Sequence, residues 1–340
     1  MLKDLDYPDD KLIDDIAAGF RLSGYMTRSN VFRARSKRPT MSVETLRKLG
    51  RTFNANSIES FSRRQEQELE EATWKETEAE LAKGWIFLDK EGSTDSKFLG
   101  RRFGIKQGSK SRVIDDCTCC GLNLTVGLHE KFRLHSVDFL AAMLGFALKS
   151  CPTGRRPNLK GRTYDLRSAY KQFAVHPVDR ASLRMGVNIP GSADYAMIGF
   201  NSLPFGAVGS VAGFLRISQA IWYLGYVGLG LLWSAFYDDY TLLPRSGLES
   251  SSSWACESLL TLLGMQYATE GHKCLPFSDQ FKTLGLEIDS KEFADGHVLV
   301  GHTQNRREEL HNQFDTFLRA NAMSAKDAER LRGRMVFFEG

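Results

Sequence analysis

Two adjacent carboxylates, Asp238 and Asp239, interrupt an otherwise apolar, strand-prone stretch: LLWSAF at 231–236 precedes Tyr237 and the pair, and YTLL at 240–243 follows. Few folds accept that pattern. The flanking residues favour strands, so the segment is expected to form two strands turning at the aspartates. An isolated Asp pair is a good turn former, but between buried strands its charge is costly unless a cation offsets it. The same stretch bears on membrane insertion. No residue from 217 to 237 is charged, about the length a membrane helix needs. Ser218, Gln219, Gly225, Gly228, Gly230 and Ser234 break it and the aspartates end it, which fits a buried helix feeding a buried strand, without a membrane span.

A chain of 340 residues that is 42% hydrophobic and 11% aromatic is long enough for one large or two to three small domains. Its net charge of +4, from 45 basic and 41 acidic residues, is too small to demonstrate a polyanionic partner; clustering matters more. Six cysteines at 117, 119, 120, 151, 256 and 274 lack the paired spacing of a structural zinc site and read as reduced thiols. The opening MLKDLDYPDD has no apolar signal stretch. The expectation is an intracellular protein of the cytoplasm or nucleus.

The first 60 residues are charged and irregular, with short helical stretches near 11–21 and 43–53 and no chemical motif. Residues 65–83 place Leu69, Thr73, Thr77 and Leu81 on one face and end at Gly84, so a surface helix with a glycine stop is expected. WIFLDKEG (85–92) reads as strand and turn. RRFGIKQGSKSR (101–112) carries Arg101, Arg102, Lys106, Lys110 and Arg112 with no acidic residue, and its two glycines suggest a hairpin. VDFLAAMLGFAL (137–148) is apolar on nearly every face and should be a buried helix. RTYD is expected to be a strand ending near Asp165, 209–224 a helix, 245–253 a loop, and 281–288 a single alternating strand. Two helices close the chain. The first carries Leu310, Phe314, Phe317 and Leu318 on one side, and the second opens on Ser324 and Asp327 in capping-box spacing.

Hard oxygen ligands at the ends of adjacent strands suit divalent cations. Asp165, Asp238 and Asp239 offer them. Three carboxylates so placed fit the transfer of a nucleotidyl group, which needs two metal ions roughly 3.5 to 4 Å apart. Arg112 suits bidentate phosphate contact and Lys110 is a compact charge beside it. Gly206 and Gly209 permit close backbone approach.

Five segments, in order, resemble the motifs of the reverse transcriptase family. Lys110, Arg112 and Asp116 match its K-x-R-x-x-x-D, followed by Leu122 and Asn123; Asp165, Ala169 and Tyr170 match the motif opening on a metal-binding Asp. Leu203, Pro204, Phe205 and Gly206 match L-P-x-G, with Gly209 and Ser210 opening a helix. Phe236, Tyr237, Asp238 and Asp239 match aromatic-x-D-D, and Lys273, Leu284 and Gly285 match the later Lys and Leu-Gly. The resemblance spans about residues 80 to 340. It implies an α+β right-hand polymerase fold, with an N-terminal extension (1–60), fingers (61–164 and about 179–205), a palm (165–300) and a truncated thumb (301–340). It implies an RNA-directed DNA polymerase using two Mg2+ or Mn2+ ions on Asp165, Asp238 and Asp239, with Lys273 as acid toward pyrophosphate. Lys110, Arg112, Tyr170, Phe205 and Gly206 would bind the dNTP. Gly209, Ser210, Phe236, Tyr237, Leu284 and Gly285 would contact the RNA or DNA template and its primer.

Departures qualify the match. Phe205 stands where retroviral forms carry Gln, and Val211 where many relatives have Pro. The L-P-F-G form resembles retrotransposons that integrate with a tyrosine recombinase (DIRS-like). The chain stops at Gly340 where the family continues toward RNase H, so a fragment or decayed copy is expected. Two other readings stand beside this one. An RNA-dependent RNA polymerase shares the carboxylates but would usually carry a hydrogen-bonding residue in place of the bulky Tyr170. A domesticated nucleic-acid-binding remnant would keep the fold without catalysis.

Overall fold

A computed structural model describes residues 1–90, 94, 96–107, 110–150, 158–244 and 247–339. Glu91 and Gly92, Gly108 and Ser109, Cys151, Arg245 with Ser246, and Gly340 lie outside the described residues. In chain order the elements are α1 (Leu12–Ala18), β1 (Arg33–Lys37), α2 (Val43–Phe61), α3 (Gln67–Ala82), β2 (Ile86–Leu88), β3 (Phe98–Gln107), β4 (Lys110–Asp116), β5 (Leu128–Lys131), α4 (Val137–Ser150) and β6 (Arg162–Asp165). Then come α5 (Pro177–Ser182), β7 (Leu183–Asn188), β8 (Tyr195–Phe200), α6 (Val208–Tyr223), β9 (Trp233–Phe236), β10 (Asp239–Leu242) and α7 (Glu249–Leu262). The chain closes with β11 (Gln280–Thr283), β12 (Leu286–Asp289), β13 (Leu299–His302), α8 (Gln304–Ala320) and α9 (Ala325–Glu339). This is a mixed α+β chain that divides into two compact units: Met1–Arg133 with Ser168–Ala220, and Leu134–Arg167 with Ile221–Gly340.

The first unit centres on a five-stranded sheet ordered β2-β8-β7-β3-β4, antiparallel except where β3 runs parallel to β7. The expected hairpin forms, with Gln107 opposite Lys110. Gly104 lies within β3 and not at its turn: a Cβ there would meet Thr73 Oγ1 at 2.6 Å, so helix α3 lies close against the strand. The α3 face carrying Leu69, Thr73 and Thr77 is buried as the periodicity predicts, and it also buries Glu70 and Glu80. Arg102, one of the basic run at 101–112, is buried too, at 3% exposure. The N-terminal segment is held by buried carboxylates. Asp9 takes a bidentate pair from Arg216 at 2.7 and 2.9 Å, and Asp179 accepts from Leu22 N–H at 3.0 Å and Arg21 Nε at 2.6 Å.

The second unit holds two three-stranded antiparallel sheets, β6-β10-β9 and β11-β12-β13. Its core joins Leu140 and Met143 of α4 to Leu159, Leu243, Phe281 and Ile288. Helix α4 buries one face only; Phe146 is 61% exposed, because the sheet covers a single side. Residues 281–288 are two strands, since Leu284 (φ 53°) and Gly285 (φ 72°) reverse the chain in the paired left-handed conformation of a tight hairpin. The serines at 250–253, expected in a loop, lie in α7, whose buried Cys256, Leu259 and Leu260 carry the helix through a weakly helix-forming stretch. Ser324 caps α9, its Oγ accepting from Asp327 N–H at 3.1 Å and donating to Asp327 Oδ2 at 2.5 Å, which is half of the expected capping box. Helix α8 buries no residue, and Leu318 is 75% exposed. Among the described residues no helix is long and apolar enough to cross a membrane.

Candidate functional site

In the second unit the hairpin of β9 and β10 reverses at Tyr237 and Asp238. Asp239 already belongs to the strand and not to the turn. Tyr237 takes φ 53°, a conformation a bulky residue adopts only under constraint and one that concentrates at functional sites. Its ring meets Phe236 edge-on at 5.2 Å. Antiparallel pairing of β6 with β10 sets Asp165 directly opposite Asp239. Leu166 N–H donates to Asp238 O at 3.0 Å and Ala268 N–H to Asp165 O at 2.9 Å, which fixes the strand end against the turn.

Three acidic side chains are thus concentrated at one end of a small sheet. Burial, then the charges of Asp238 and Asp165, push the Asp239 carboxyl from 3.8 up to about 7, helped by a hydrogen bond with Asp165. Lys273, from the short turn Gly271–Lys273, holds Asp165 Oδ2 at 2.5 Å. Among the described residues no three His, Cys, Asp or Glu side chains stand ready to hold one ion between them. Lys273 brings positive charge to Asp165, and burial beside two carboxylates favours the protonated form of Asp239. The donor set is nonetheless all hard oxygen and over-charged, the chemistry that suits a divalent cation.

A cavity of about 520 Å³ opens beside these groups, lined by Asp165, Asp239, His272, Lys273, Leu284 and Gly285. A column of threonines locks the β11–β12 hairpin to this sheet: Thr163 Oγ1 lies 3.4 Å from Thr241 Oγ1, itself 2.5 Å from Thr283 Oγ1. The Leu284 and Gly285 tip is thereby held at the carboxylate cavity.

The other expected residues lie in the first unit. A cavity of about 410 Å³ is lined by Arg112 and Ser111 of β4, Phe205, Arg102 of the basic run, and charged groups that sequence reasoning missed, among them Glu80, Asp115 and Lys171. Arg102 donates to Glu80 at 2.7 Å and lies 3.6 Å from Asp115, while Lys171 reaches Glu80 at 3.0 Å. Burial pushes the Asp115 carboxyl up, with Arg102 opposing. Helical spacing could have found Glu80, which continues the buried face of Leu69, Thr73 and Thr77. Lys110 opens β4. Tyr170 packs edge-on against Phe205 at 5.7 Å and tilted against Phe214 at 4.8 Å.

Gly206 (φ 131°) is glycine because a Cβ would meet Asp115 O at 2.1 Å. Asn123 ties this loop down, donating to Gly206 O at 3.0 Å and accepting from Val208 N–H at 2.9 Å. The close approach at Gly209 is to the backbone of Arg21 and Leu22, each 2.7 Å from where its Cβ would stand. Ser210 is fully buried, with no partner for its Oγ among the described residues, so its side chain offers no surface to a nucleic acid.

No protein-family model matches the chain and no curated protein is similar to it in sequence. Among solved structures it is similar to a foamy viral protease-reverse transcriptase in complex with double-stranded DNA, at a TM-score of 0.56 and 14% identity. The match covers 98% of this chain and 51% of that one, so the chain spans about half the length of its structural neighbour. The likeness is one of fold, and that fold is reverse-transcriptase-like.

Proposed function

We propose that the chain is the polymerase portion of a reverse transcriptase, an RNA-directed DNA polymerase that extends a primer with dNTPs. The observation that carries this is the register that faces Asp165 with Asp239 beside Asp238, leaving an excess of negative charge that raises Asp239 to about 7. In this reading residues 61–164 and 179–205 serve as fingers, 165–300 as palm and 301–340 as the start of a thumb. Asp165, Asp238 and Asp239 would hold two Mg2+ or Mn2+ ions, which supply activation of the primer 3′-hydroxyl and stabilisation of the leaving pyrophosphate. Arg112 and Lys110 would bind the triphosphate. Tyr170 and Phe205 would bound the sugar, and the Leu284 and Gly285 tip would steady the primer end. Lys273, paired with Asp165 until a cation replaces it, would serve the departing pyrophosphate. The test is extension of poly-rA/oligo-dT with dTTP and Mg2+ or Mn2+; we expect labelled product. Its absence under both metals would return the chain to a binding role.

A further inference from the structure

Between Asp15 and Glu44 the chain has no acidic residue and six cations. Arg21 is taken up by Asp179. Arg33, Arg35 and Lys37 lie on β1, every residue of which is exposed. Among the described residues none of these three, nor Lys131 on β5, pairs with a carboxylate, whereas Arg102, Arg184 and Arg216 are all ion-paired in buried sites.

Pairing of β1 with β5 sets Arg33 directly opposite Lys131. Like charges opposite one another destabilise a ribbon, and a two-stranded ribbon has little stability of its own to offset that. The neighbouring Glu130 does not neutralise them. It points to the other face, 4% exposed, and is engaged by Ser29 through N–H at 2.8 Å and Oγ at 2.9 Å. A bulge between Ala34 and Lys37 places Arg35 and Ser36 against His129 alone. His129 stands two residues from Lys131, on the same face, and stacks on Tyr25 with centroids 4.9 Å apart and planes at 17°. Tyr25 is itself 50% exposed. The ribbon therefore presents unpaired cations around an accessible aromatic ring, the two elements that bind unpaired nucleotides: charge along the backbone and a surface for bases.

We propose that the β1–β5 ribbon binds single-stranded nucleic acid, with Arg33, Arg35 and Lys131 on phosphates and Tyr25 stacking a base. Five residues of strand span roughly 17 Å, enough for a few nucleotides. An aromatic ring that stacks needs an unpaired base, which favours a single strand over duplex. The proposal depends on the polymerase reading only for the strand's identity as unpaired template; binding is measured without catalysis.

The experiment is fluorescence anisotropy of the full chain with labelled oligo-dT and oligo-rU of about 20 nucleotides, in EDTA and across a salt series. The triple variant Arg33→Ala, Arg35→Ala, Lys131→Ala should bind roughly tenfold to a hundredfold more weakly, and its log K against log salt slope should fall by about 2. Tyr25→Ala should lose roughly five- to a hundredfold, and Tyr25→Phe should restore binding because stacking needs only the ring. Unchanged melting of each variant separates lost contact from lost fold. An unaltered salt slope in the triple variant, equal affinity for blunt duplex, or displacement by polyglutamate as effective as by oligonucleotide would each overturn the proposal. Binding without primer extension would reject the polymerase reading and leave this one standing.

Discussion

The two cavities hold their charges in opposite ways. In the first unit the buried Glu80 and Asp115 are matched by the buried Arg102 and the half-buried Lys171, with Arg102 reaching both carboxylates and Lys171 reaching Glu80. In the second, Asp165 pairs with the half-exposed Lys273, and burial beside Asp238 and Asp165 raises the Asp239 carboxyl to about 7. Balanced charges of that kind maintain a wall. A cluster of carboxylates with raised proton affinity is the pattern expected of a cation site, and the difference is what the reading of the second cavity as the reactive one rests on.

The largest effect expected from breaking this contrast is on catalysis. Asp165→Ala and Asp238→Ala should each lower primer extension by roughly 10³-fold or more while leaving primer-template binding nearly intact, because metal chelation and not docking is lost. Extension assays beside binding titrations check this, and extension at the wild-type rate by either variant rejects the assignment.

On the balanced side the effect should be structural. Glu80→Ala strands Arg102 and Lys171 without their shared carboxylate, and breaking a buried pair from one side typically destabilises by about 3 to 5 kcal/mol. Urea unfolding should show that loss, and a shift under about 1 kcal/mol would mean the network is solvated and weak.

Asp239→Asn should do the reverse in metal-free protein. The folded-state value of about 7 lies above the ordinary 3.8. The stability this carboxyl contributes is therefore complete below pH 3.8 and drains away as pH rises through 7. The amide removes that loss, so at pH 8 the variant should be more stable by about 2 to 4 kcal/mol. It should also lose any rise in melting temperature caused by Mg2+. A wild-type melting temperature flat from pH 5 to 8 would contradict the raised value.

How much of this was legible in the sequence differs between the two sides for the same physical reason. The Asp238 and Asp239 hairpin announces itself because polar residues inside an apolar strand pattern are local, read within a dozen positions. The network of Glu80, Arg102, Asp115 and Lys171 joins four separate segments, and only Glu80 carries a local mark. The period-two pattern of 281–288 fitted one strand as well as a hairpin; two consecutive left-handed residues decided it, and Leu284 gives no warning of that. Ser210 was read as a surface contact because a motif names residues without saying which way they face. The cations of β1 were passed over, although a stretch without acidic residues was visible from the start.

The smallest and most discriminating effect concerns Tyr170, which sits next to the balanced network through Lys171 and is packed between Phe205 and Phe214. If it merely fills that space, Tyr170→Ala leaves a cavity, destabilises the chain and lowers use of both nucleotide types together. If the ring crowds the 2′ position of an incoming nucleotide, as the family resemblance implies, the barrier to a ribonucleotide is steric. Overpacking typically costs about 1 to 3 kcal/mol, or roughly tenfold to a few hundredfold in incorporation. The ratio of dTTP to rUTP incorporation should then fall by that factor in Tyr170→Ala and stay near wild type in Tyr170→Phe, which keeps the ring. A ratio that holds while activity and melting temperature both drop would make Tyr170 part of the wall, and would reopen the RNA polymerase reading.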